Sequence, residues 1–267
     1  MNASNALIKT LISNGLEVVF ANPGTSEIHL VAAIDHNPAV RPVLGLFEGV
    51  VSGAADGYAR MSGKSAANLL HLGPGLGNAF ANIHNAKKAF SPMINIVGDH
   101  ASYHLKHNAP LTSDLDGLAK SSSDWVRRVG SSEQITQCAN DAWKVANESP
   151  GNIATLIVPA DYAWSNIQSD LPKKVKLNNR KSVDSKLIEA AYKLLSKPNS
   201  MLYLGGKFLD EECLKFAAQI ATKTGCRLVT DTFVSRIRRG AGLPIIQQVP
   251  YFSEMAEDFL QGTESIV

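Results

Sequence analysis

An acidic residue stands at the junction between an apolar segment and a helix of small residues. Glu48 follows RPVLGLF and opens EGVVSGAADGYAR, in which glycine and alanine predominate. A helix dipole alone favours an acid in the first turn, by about 0.3–1 kcal/mol. The flanking residues favour a second interpretation, because an apolar pocket promotes pairing of a carboxyl group with a ligand donor. Those residues are Leu44, Leu46, Phe47, Val50 and Val51.

Other polar residues lie at the ends of the remaining apolar runs. Asn22 follows EVVFA, His71 ends AANLLH, and Asp99 with His100 follows PMINIVG. Ligands of open parallel sheets bind beyond the carboxyl ends of the strands. Together with Glu48, these residues predict a small-molecule site on one rim of a sheet, although their spacing names no reaction.

Two further motifs could bind ligands of a different kind. GPGLGN, residues 73–78, follows an apolar run, but its spacing is not G-x-G-x-x-G and Pro74 lacks an N–H donor, which disfavours a dinucleotide site. His100, His104 and His107 recur at helical spacing in a polar segment. We interpret them as solvated or substrate-loop residues and predict no metal site.

The elements that must position the rim alternate along the chain. Apolar runs predict strands over 17–21, 41–47, 66–72, 92–99 and 152–159. Helical spacing predicts helices over 6–15, 49–61, 79–89 and 133–147, with a long polar loop after Asp99. Strands separated by helices favour parallel pairing with right-handed crossovers. The predicted fold is therefore α/β, a doubly wound parallel sheet.

A polar, lysine-rich segment divides the chain. We predict one domain over residues 1–167, a surface linker over 168–182 and a second α/β domain over 183–267. The second domain shows two helical patterns, two strands and the start of a third strand in GTESIV. So small a sheet buries little area, and we therefore expect this second domain to be incomplete.

Composition excludes several classes of function. The chain has 267 residues, 45% of them hydrophobic, and a formal net charge of +2. This balance gives no electrostatic footprint for nucleic acid or an anionic membrane, and no apolar run is long enough to span a bilayer. Cys138, Cys213 and Cys226 lack metal-ligand or disulfide-framework spacing. We therefore expect a cytoplasmic protein with a small-molecule partner.

Four segments carry a resemblance to a known family. VFANPGTSE, LFEGVVSGAADGYAR, LLHLGPGLGNAFANIHNAKKAFSPMINIVGD and PGNIATLIVPADY together resemble the pyrimidine-binding domain of thiamine-diphosphate-dependent enzymes. The similar branch contains acetolactate synthase, pyruvate oxidase and benzoylformate decarboxylase. The resemblance covers most of residues 1–165, and residues 183–267 are similar to the start of that branch's central domain.

The resemblance implies thiamine diphosphate as the cofactor and Glu48 as a catalytic residue. The matching glutamate hydrogen-bonds a ring nitrogen of the aminopyrimidine and favours the tautomer that removes the thiazolium proton. Burial would strengthen that single hydrogen bond. The resemblance also implies that further residues of the rim bind the cofactor, namely Pro23, Gly24, Gly73 and Asn78.

Two residues are implied to contact a 2-oxo acid substrate. His71 matches a histidine that faces the substrate in benzoylformate decarboxylases, which implies a catalytic proton donor or acceptor. Its alternative is a core histidine that bonds a backbone carbonyl. Thr25 matches a small hydroxyl residue that contacts the substrate carboxylate, and its alternative is helix capping.

The sequence also departs from the family pattern. It contains no G-D-G motif followed by an asparagine, the pattern by which the family binds diphosphate and Mg²⁺. We therefore expect Mg²⁺ ligands outside this chain, on a longer polypeptide or on a complementary subunit. The resemblance implies a homo-dimer or tetramer, and FAD, which occurs in some relatives, has no support in these residues.

Three functions remain open on these grounds. The first is decarboxylation of a 2-oxo acid followed by carboligation, as in acetolactate synthase. The second is simple non-oxidative decarboxylation, as in benzoylformate decarboxylase, which His71 and Thr25 favour. The third belongs to another class, a non-catalytic α/β binding or regulatory subunit, which the missing Mg²⁺ motif favours.

Overall fold

The computed structural model of the protein describes residues 1–168, 172–177, 182–240 and 242–267, without the side chain of residue 207. The chain forms two compact units, Met1–Asn178 and Asn179–Val267. The boundary lies inside the predicted linker, part of which (169–171 and 178–181) is outside the described residues. Among the described linker residues, the N–H of Val175 donates to the Asn14 side chain at 2.7 Å, and Lys173 accepts from Asn140. Residues 172–177, which belong to the first unit, are therefore hydrogen-bonded to the rest of that unit.

The first unit is built on a six-stranded sheet whose neighbouring strands are all parallel, in the order β2-β1-β3-β4-β6-β5. Its strands are β1 Val18–Asn22, β2 Arg41–Leu44, β3 Ala66–His71, β4 Met93–Asp99, β5 Trp125–Arg128 and β6 Ile153–Pro159. Every residue of β4 and β6 is buried, because helices cover both faces of a parallel sheet. The predicted α/β fold class is confirmed.

Seven α-helices among the described residues of this unit cover the sheet. They are α1 Ala3–Asn14, α2 Ile28–Asp35, α3 Glu48–Ser62, α4 Leu72–Lys88, α5 Leu115–Ser122, α6 Ile135–Asn147 and α7 Ala160–Trp164. One apolar core, with Leu7 and Leu69, packs on the face covered by α1 and α6. The other core, with Val51 and Leu76, packs on the face covered by α3 and α4. The described helices contain none that is long and apolar enough to cross a membrane.

Three local predictions in the first unit were wrong. The helix predicted over 79–89 begins earlier, at Leu72, and includes GPGLGN, with Pro74 in its first turn, where no N–H donor is needed. The predicted polar loop after Asp99 contains α5 and β5. The second strand ends at Leu44 instead of at residue 47.

The second unit is also an α/β structure. Its four parallel strands follow the order β10-β7-β8-β9. They are β7 Ser200–Leu204, β8 Arg227–Thr230, β9 Gln247–Gln248 and β10 Ser265–Ile266. Its helices are α8 Ser185–Leu195, α9 Glu211–Thr224 and α10 Ser253–Leu260. The strand predicted in GTESIV is β10, whereas β9 and α10 were not predicted.

Candidate functional site

The predicted rim residues do lie at one edge of the sheet. Asn22, His71 and Asp99 are the last residues of β1, β3 and β4, and Glu48 is the first residue of α3, which follows β2. These strands are parallel neighbours, and His71 pairs in register with Gly98 of β4. The carboxyl edge of the sheet is therefore the candidate site.

Glu48 is held by the helix that follows β3. Glu48 is buried, with 8% of its surface exposed. Its Oε2 accepts a hydrogen bond from Asn78 Nδ2 of α4 at 3.0 Å. A Cβ at Gly75 would lie 3.2 Å from Glu48 Oε1. Gly75 thus leaves room beside one carboxylate oxygen while Asn78 orients the other.

The small residues of α3 allow α4 to pack closely. Ser52 donates to the carbonyl of Glu48 at 2.8 Å, and Asn82 Nδ2 donates to the carbonyl of Gly49 at 2.6 Å. A Cβ at Gly53 would lie 3.3 Å from the Asn82 side chain. The first turn of α3, and with it the position of Glu48, is therefore fixed by α4.

The apolar pocket expected around Glu48 is not formed by this chain alone. Of the five flanking residues, Val51 is buried, but Leu46 is 91% exposed. Four exposed apolar residues form a surface beside Glu48, the rim patch, which consists of Leu44, Leu46, Phe47 and Val50. The prediction was wrong because β2 is an edge strand that ends at Leu44, and the described residues place no covering element over Leu44 or over the three rim-patch residues that follow it.

His71 has a carboxylate partner that the sequence did not indicate. Its Nδ1 lies 2.8 Å from Oε2 of Glu27, a residue that is wholly buried. The N–H of Gly24 also donates to this oxygen, at 2.8 Å. Burial raises the pKa of Glu27 above its ordinary value of 4.5, against the opposing effects of the Gly24 N–H and of His71. The described partner of His71 is thus an acid, not a backbone carbonyl.

Asp99 takes part in an ion-pair network at the other end of the rim. It pairs with Arg128 of β5, and Arg128 also donates to Asp116 of α5 at 2.8 and 2.9 Å. Asp99 further accepts the N–H of His100 at 2.8 Å. These contacts engage both carboxylate oxygens of Asp99, which indicates a structural role that anchors the edge strand.

The histidine rings after β4 contact one another at tilted angles. The ring centroids of His100 and His104 lie 5.4 Å apart, and those of His104 and His107 lie 5.5 Å apart. Within the described residues, no three His, Cys, Asp or Glu side chains are arranged to hold a metal ion.

The family model described as "Thiamine pyrophosphate enzyme, N-terminal TPP binding domain" matches residues 1–119. Residues 1–119 therefore carry the sequence features of that domain. The match contains β1 to β4 and both glutamates of the rim. The resemblance to thiamine-diphosphate-dependent enzymes is therefore confirmed.

Individual relatives of this thiamine pyrophosphate domain agree with the family match. The chain is 45% identical to a Mycobacterium tuberculosis protein named "Putative acetolactate synthase large subunit IlvX", over 100% of this chain and 51% of the relative. It is 30% identical to benzoylformate decarboxylase of Pseudomonas aeruginosa, over 59% of this chain and 30% of the relative. The chain thus spans about half the length, or less, of these curated relatives.

A solved structure shares the fold. The thiamine diphosphate-dependent 4-hydroxybenzoylformate decarboxylase of Rhodococcus jostii RHA1 matches with a TM-score of 0.89 and 24% identity. The match covers 100% of this chain and 51% of that chain. At this identity the likeness shows the fold of the two units and nothing about the substrate.

The predicted glycines of the thiamine pyrophosphate domain are explained by packing. A Cβ at Gly24 would lie 2.3 Å from the His71 ring, and a Cβ at Gly73 would lie 2.0 Å from Ser113 Oγ. Pro23 precedes Gly24 and is partly exposed. These residues therefore shape the backbone around His71 and the start of α4, and their contact with a cofactor stays a prediction.

Thr25 lies in a different part of the rim. It is exposed and lines a cleft of ≈ 220 Å³ whose other lining residues include His100, His104 and Trp164. Thr25 begins a 3₁₀ turn, Thr25–Glu27, and the residue at its cap position is Gly24. The capping alternative for Thr25 is therefore wrong, and its contact with a substrate stays a prediction.

The residues present fit the aminopyrimidine of thiamine diphosphate. A ring nitrogen needs one acidic or polar partner, and Glu48 offers a carboxylate oxygen beside the space that Gly75 leaves. Asn78 fixes the orientation of that carboxylate. The sequence contains no G-D-G motif for the diphosphate group, and the location of the Mg²⁺ ligands stays a prediction.

Proposed function

We propose that this chain supplies the pyrimidine-binding part of a thiamine-diphosphate-dependent 2-oxo acid enzyme that decarboxylates and then ligates, as acetolactate synthases do. The observation that carries the proposal is the Glu48 carboxylate, sheltered at the sheet rim and oriented by Asn78. The 45% identity to a relative named as an acetolactate synthase large subunit supports the choice of reaction.

Each rim residue has a defined task in this proposal. Glu48 hydrogen-bonds the aminopyrimidine ring and controls its proton, while Asn78 keeps the carboxylate in place. When bound, thiamine diphosphate supplies the electron sink for the loss of carbon dioxide. His71 donates or accepts a proton on the substrate side, and Thr25 binds the substrate carboxylate. Pro23, Gly24 and Gly73 form the backbone surface against which the cofactor lies.

A second candidate is non-oxidative decarboxylation without ligation. Two observations favour it, namely His71 at the rim with an acidic partner and the 30% identity to a benzoylformate decarboxylase. The two functions differ in their products, because the decarboxylated substrate would either be released as an aldehyde or be joined to a second 2-oxo acid. Product analysis therefore separates them.

The proposed partners complete the site. We propose that Mg²⁺ and the diphosphate are bound by a domain on the same polypeptide or on a complementary subunit, and that the rim patch is covered by a second copy of the chain. Thiamine-diphosphate 2-oxo acid enzymes are commonly oligomeric, and four exposed apolar side chains beside Glu48 support this arrangement. A cytoplasmic location stays a prediction from cysteine content, and FAD remains without support.

The test uses the assembled enzyme, defined as this chain together with its diphosphate-binding domain. With thiamine diphosphate, Mg²⁺ and either pyruvate or benzoylformate, we expect acetolactate from pyruvate. Aldehyde release alone would favour the second candidate. Glu48→Gln should lower turnover by about 10²–10⁴-fold, the range of general acid–base catalysis. Glu17→Gln, an exposed glutamate paired with Lys64, is the control and should retain activity.

Failure of cofactor binding would point to the third alternative. If the assembled enzyme does not bind thiamine diphosphate with Mg²⁺, the chain is a non-catalytic α/β subunit and the proposal is overturned. If it binds the cofactor and turns over substrate equally well with Glu48→Gln, the assigned role of Glu48 is wrong while the reaction class stands.

A further inference from the structure

Glu27 occupies a site that is shaped around a carboxyl group. The residue is wholly buried at the end of the 3₁₀ turn Thr25–Glu27. A Cβ at Gly98 of β4 would lie 1.7 Å from Glu27 Oε1 and 2.5 Å from its Cδ. The backbone of β4 can therefore pass the carboxyl group only because residue 98 has no side chain.

Burial of this carboxyl group is costly, so its contacts need an explanation. Oε2 has two contacts, the Gly24 N–H and His71 Nδ1, both at 2.8 Å. Oε1 is buried and has no hydrogen-bond partner among the described residues. An apolar side chain would fill the same space without the cost of several kcal/mol that a buried charged group carries. A role in packing alone does not account for an acid here.

The charge state of Glu27 decides which side chain carries the proton between them. Oε2 accepts the Gly24 N–H. An ionised carboxylate is only an acceptor, so with Glu27 ionised the proton in its contact with His71 belongs to Nδ1 of the ring. With Nδ1 protonated, the neutral ring carries its free electron pair on Nε2. A carboxylate orients a catalytic histidine in the same way in Ser–His–Asp enzymes.

We propose that Glu27 is the positioning residue of His71, holding the ring by Nδ1–H so that Nε2 exchanges a proton with the 2-oxo acid. The inference rests on the proposed function for the part played by the substrate. When Nε2 takes up a proton, the ring becomes an imidazolium ion that the Glu27 carboxylate stabilises. When Nε2 returns the proton, the ring regains the same tautomer, and Glu27 does not change its bonding.

The arrangement around the pair supports this role. Gly98 borders the Glu27 carboxyl group and Gly24 borders the His71 ring, which a Cβ at Gly24 would meet at 2.3 Å. The ring is therefore confined by the backbone on one side and bonded to the carboxylate through Nδ1. About 21% of the His71 side chain stays exposed. The pair is thus rigid at its buried end and accessible at the rim.

The first test reads the tautomer on the 267-residue chain itself. With ¹⁵N-labelled histidine, the His71 signal at neutral pH should show a protonated Nδ1 and an unprotonated Nε2. Glu27→Leu removes the acceptor and should abolish this preference, while the signals of His29 and His84 stay unchanged. Glu17→Leu is the matched control and should leave His71 as it is. A wild-type ring protonated on Nε2 would overturn the proposal, even if the variant did not fold.

The second test reads catalysis in the assembled enzyme. Glu27→Leu should lower kcat by roughly 10²-fold, the lower end of the range for a general acid–base group, with a smaller change in KM. In a His71→Ala background, Glu27→Leu should cause no further loss, because the two residues act as a unit. A full additional loss would show that Glu27 acts independently of His71 and would overturn the positioning role.

The outcomes separate this inference from the proposed function. If His71→Ala is fully active, the ring has no part in catalysis, and the proposed proton exchange at His71 Nε2 is overturned. Turnover with thiamine diphosphate would still support the proposed function. If the enzyme fails to bind the cofactor, the proposed function is overturned, and the tautomer measurement still decides whether Glu27 positions His71.

Discussion

Two glutamates at the same sheet edge have different surroundings. Glu48 is bonded to a neutral amide, Asn78, and has space beside its other oxygen, whereas Glu27 is wholly buried against His71 and two backbone segments. Glu48 was predictable, because an acid between an apolar run and a helix start is a local pattern. The site of Glu27 was not predictable, because the residues that contact its carboxyl group, Gly98 and His71, come from β4 and β3, far along the sequence.

The contact between Gly98 and Glu27 predicts an effect on stability. Gly98→Ala should lower the free energy of unfolding by about 1–3 kcal/mol, because the added methyl group must displace a carboxyl group that is held by two hydrogen bonds. Gly77→Ala is the control, since its Cβ would meet nothing within 4 Å and alanine favours the helix by about 1 kcal/mol. Urea unfolding of both variants measures the difference. Equal stability of the Gly98→Ala variant and the wild type would contradict the described packing.

The raised pKa of Glu27 predicts a pH dependence of stability. Because burial raises this pKa above 4.5, the folded state holds the proton more tightly than the unfolded state does. The contribution of Glu27 is therefore fully present below pH 4.5 and is lost as the pH rises through the raised pKa. The stability of the wild type relative to Glu27→Gln should fall over this range, as measured by urea unfolding at several pH values. A difference that rises with pH would mean that His71 outweighs burial.

At the scale of elements, a row of polar side chains crosses the buried centre of the sheet. Asn68 of β3 donates to Asn95 of β4 at 2.8 Å, and Asn95 donates to Thr155 of β6 at 3.0 Å. Thr155 in turn bonds Ser123 at 2.7 Å. The register aligns Asn68, Asn95 and Thr155 directly opposite one another on three parallel strands. The row therefore ties the strands that carry His71 and Asp99 to the strand beside them.

The polar row predicts that two neighbouring core positions of β4 differ in how much a substitution lowers the free energy of unfolding. Asn95→Leu should lower the free energy of unfolding by about 1–3 kcal/mol, because the Asn68 amide loses its acceptor inside the core. Ile96→Val, on the opposite face of the same strand, should cost only about 0.5–1.5 kcal/mol. Thermal or urea unfolding compares the two. A neutral effect of Asn95→Leu would show that the row contributes nothing to stability.

The elements also differ in how well the sequence predicted them. The strands β3, β4 and β6 were predictable because both faces are buried, which leaves continuous apolar runs. Strand β5 was missed because it is an edge strand of four residues, two of them arginines. The start of α4 was not predictable, because three glycines and a proline in GPGLGN are typical of turns. Gly73 and Gly75 lie in the helix because they pack closely against Ser113 and Glu48.

At the scale of the whole molecule, the rim patch was the feature that the sequence described least correctly. Four of the five apolar residues that suggested a pocket around Glu48 are exposed, because an apolar run does not reveal whether it is covered by its own chain or by a partner. The prediction of an α/β fold did not depend on this distinction. The prediction of the site did depend on it, since the residues that cover the rim patch also determine the environment of Glu48.

The proposed second copy predicts an effect on assembly. Leu46→Asp should weaken self-association of the chain by at least tenfold, because it places a charge in the centre of the rim patch. Ile245→Asp, at a residue of similar exposure in the second unit, is the matched control. Sedimentation velocity over a range of concentrations measures the shift. Identical association of wild type and Leu46→Asp would exclude the rim patch from the interface.

The proposed function depends on Glu48 controlling a proton of bound thiamine diphosphate. The most direct measurement is the rate at which the C2 proton of the cofactor exchanges with deuterium in the assembled, cofactor-loaded enzyme. We predict that Glu48→Gln lowers the exchange rate by about 10²-fold or more, and that Glu17→Gln leaves it unchanged. An unchanged exchange rate in Glu48→Gln would contradict the central claim.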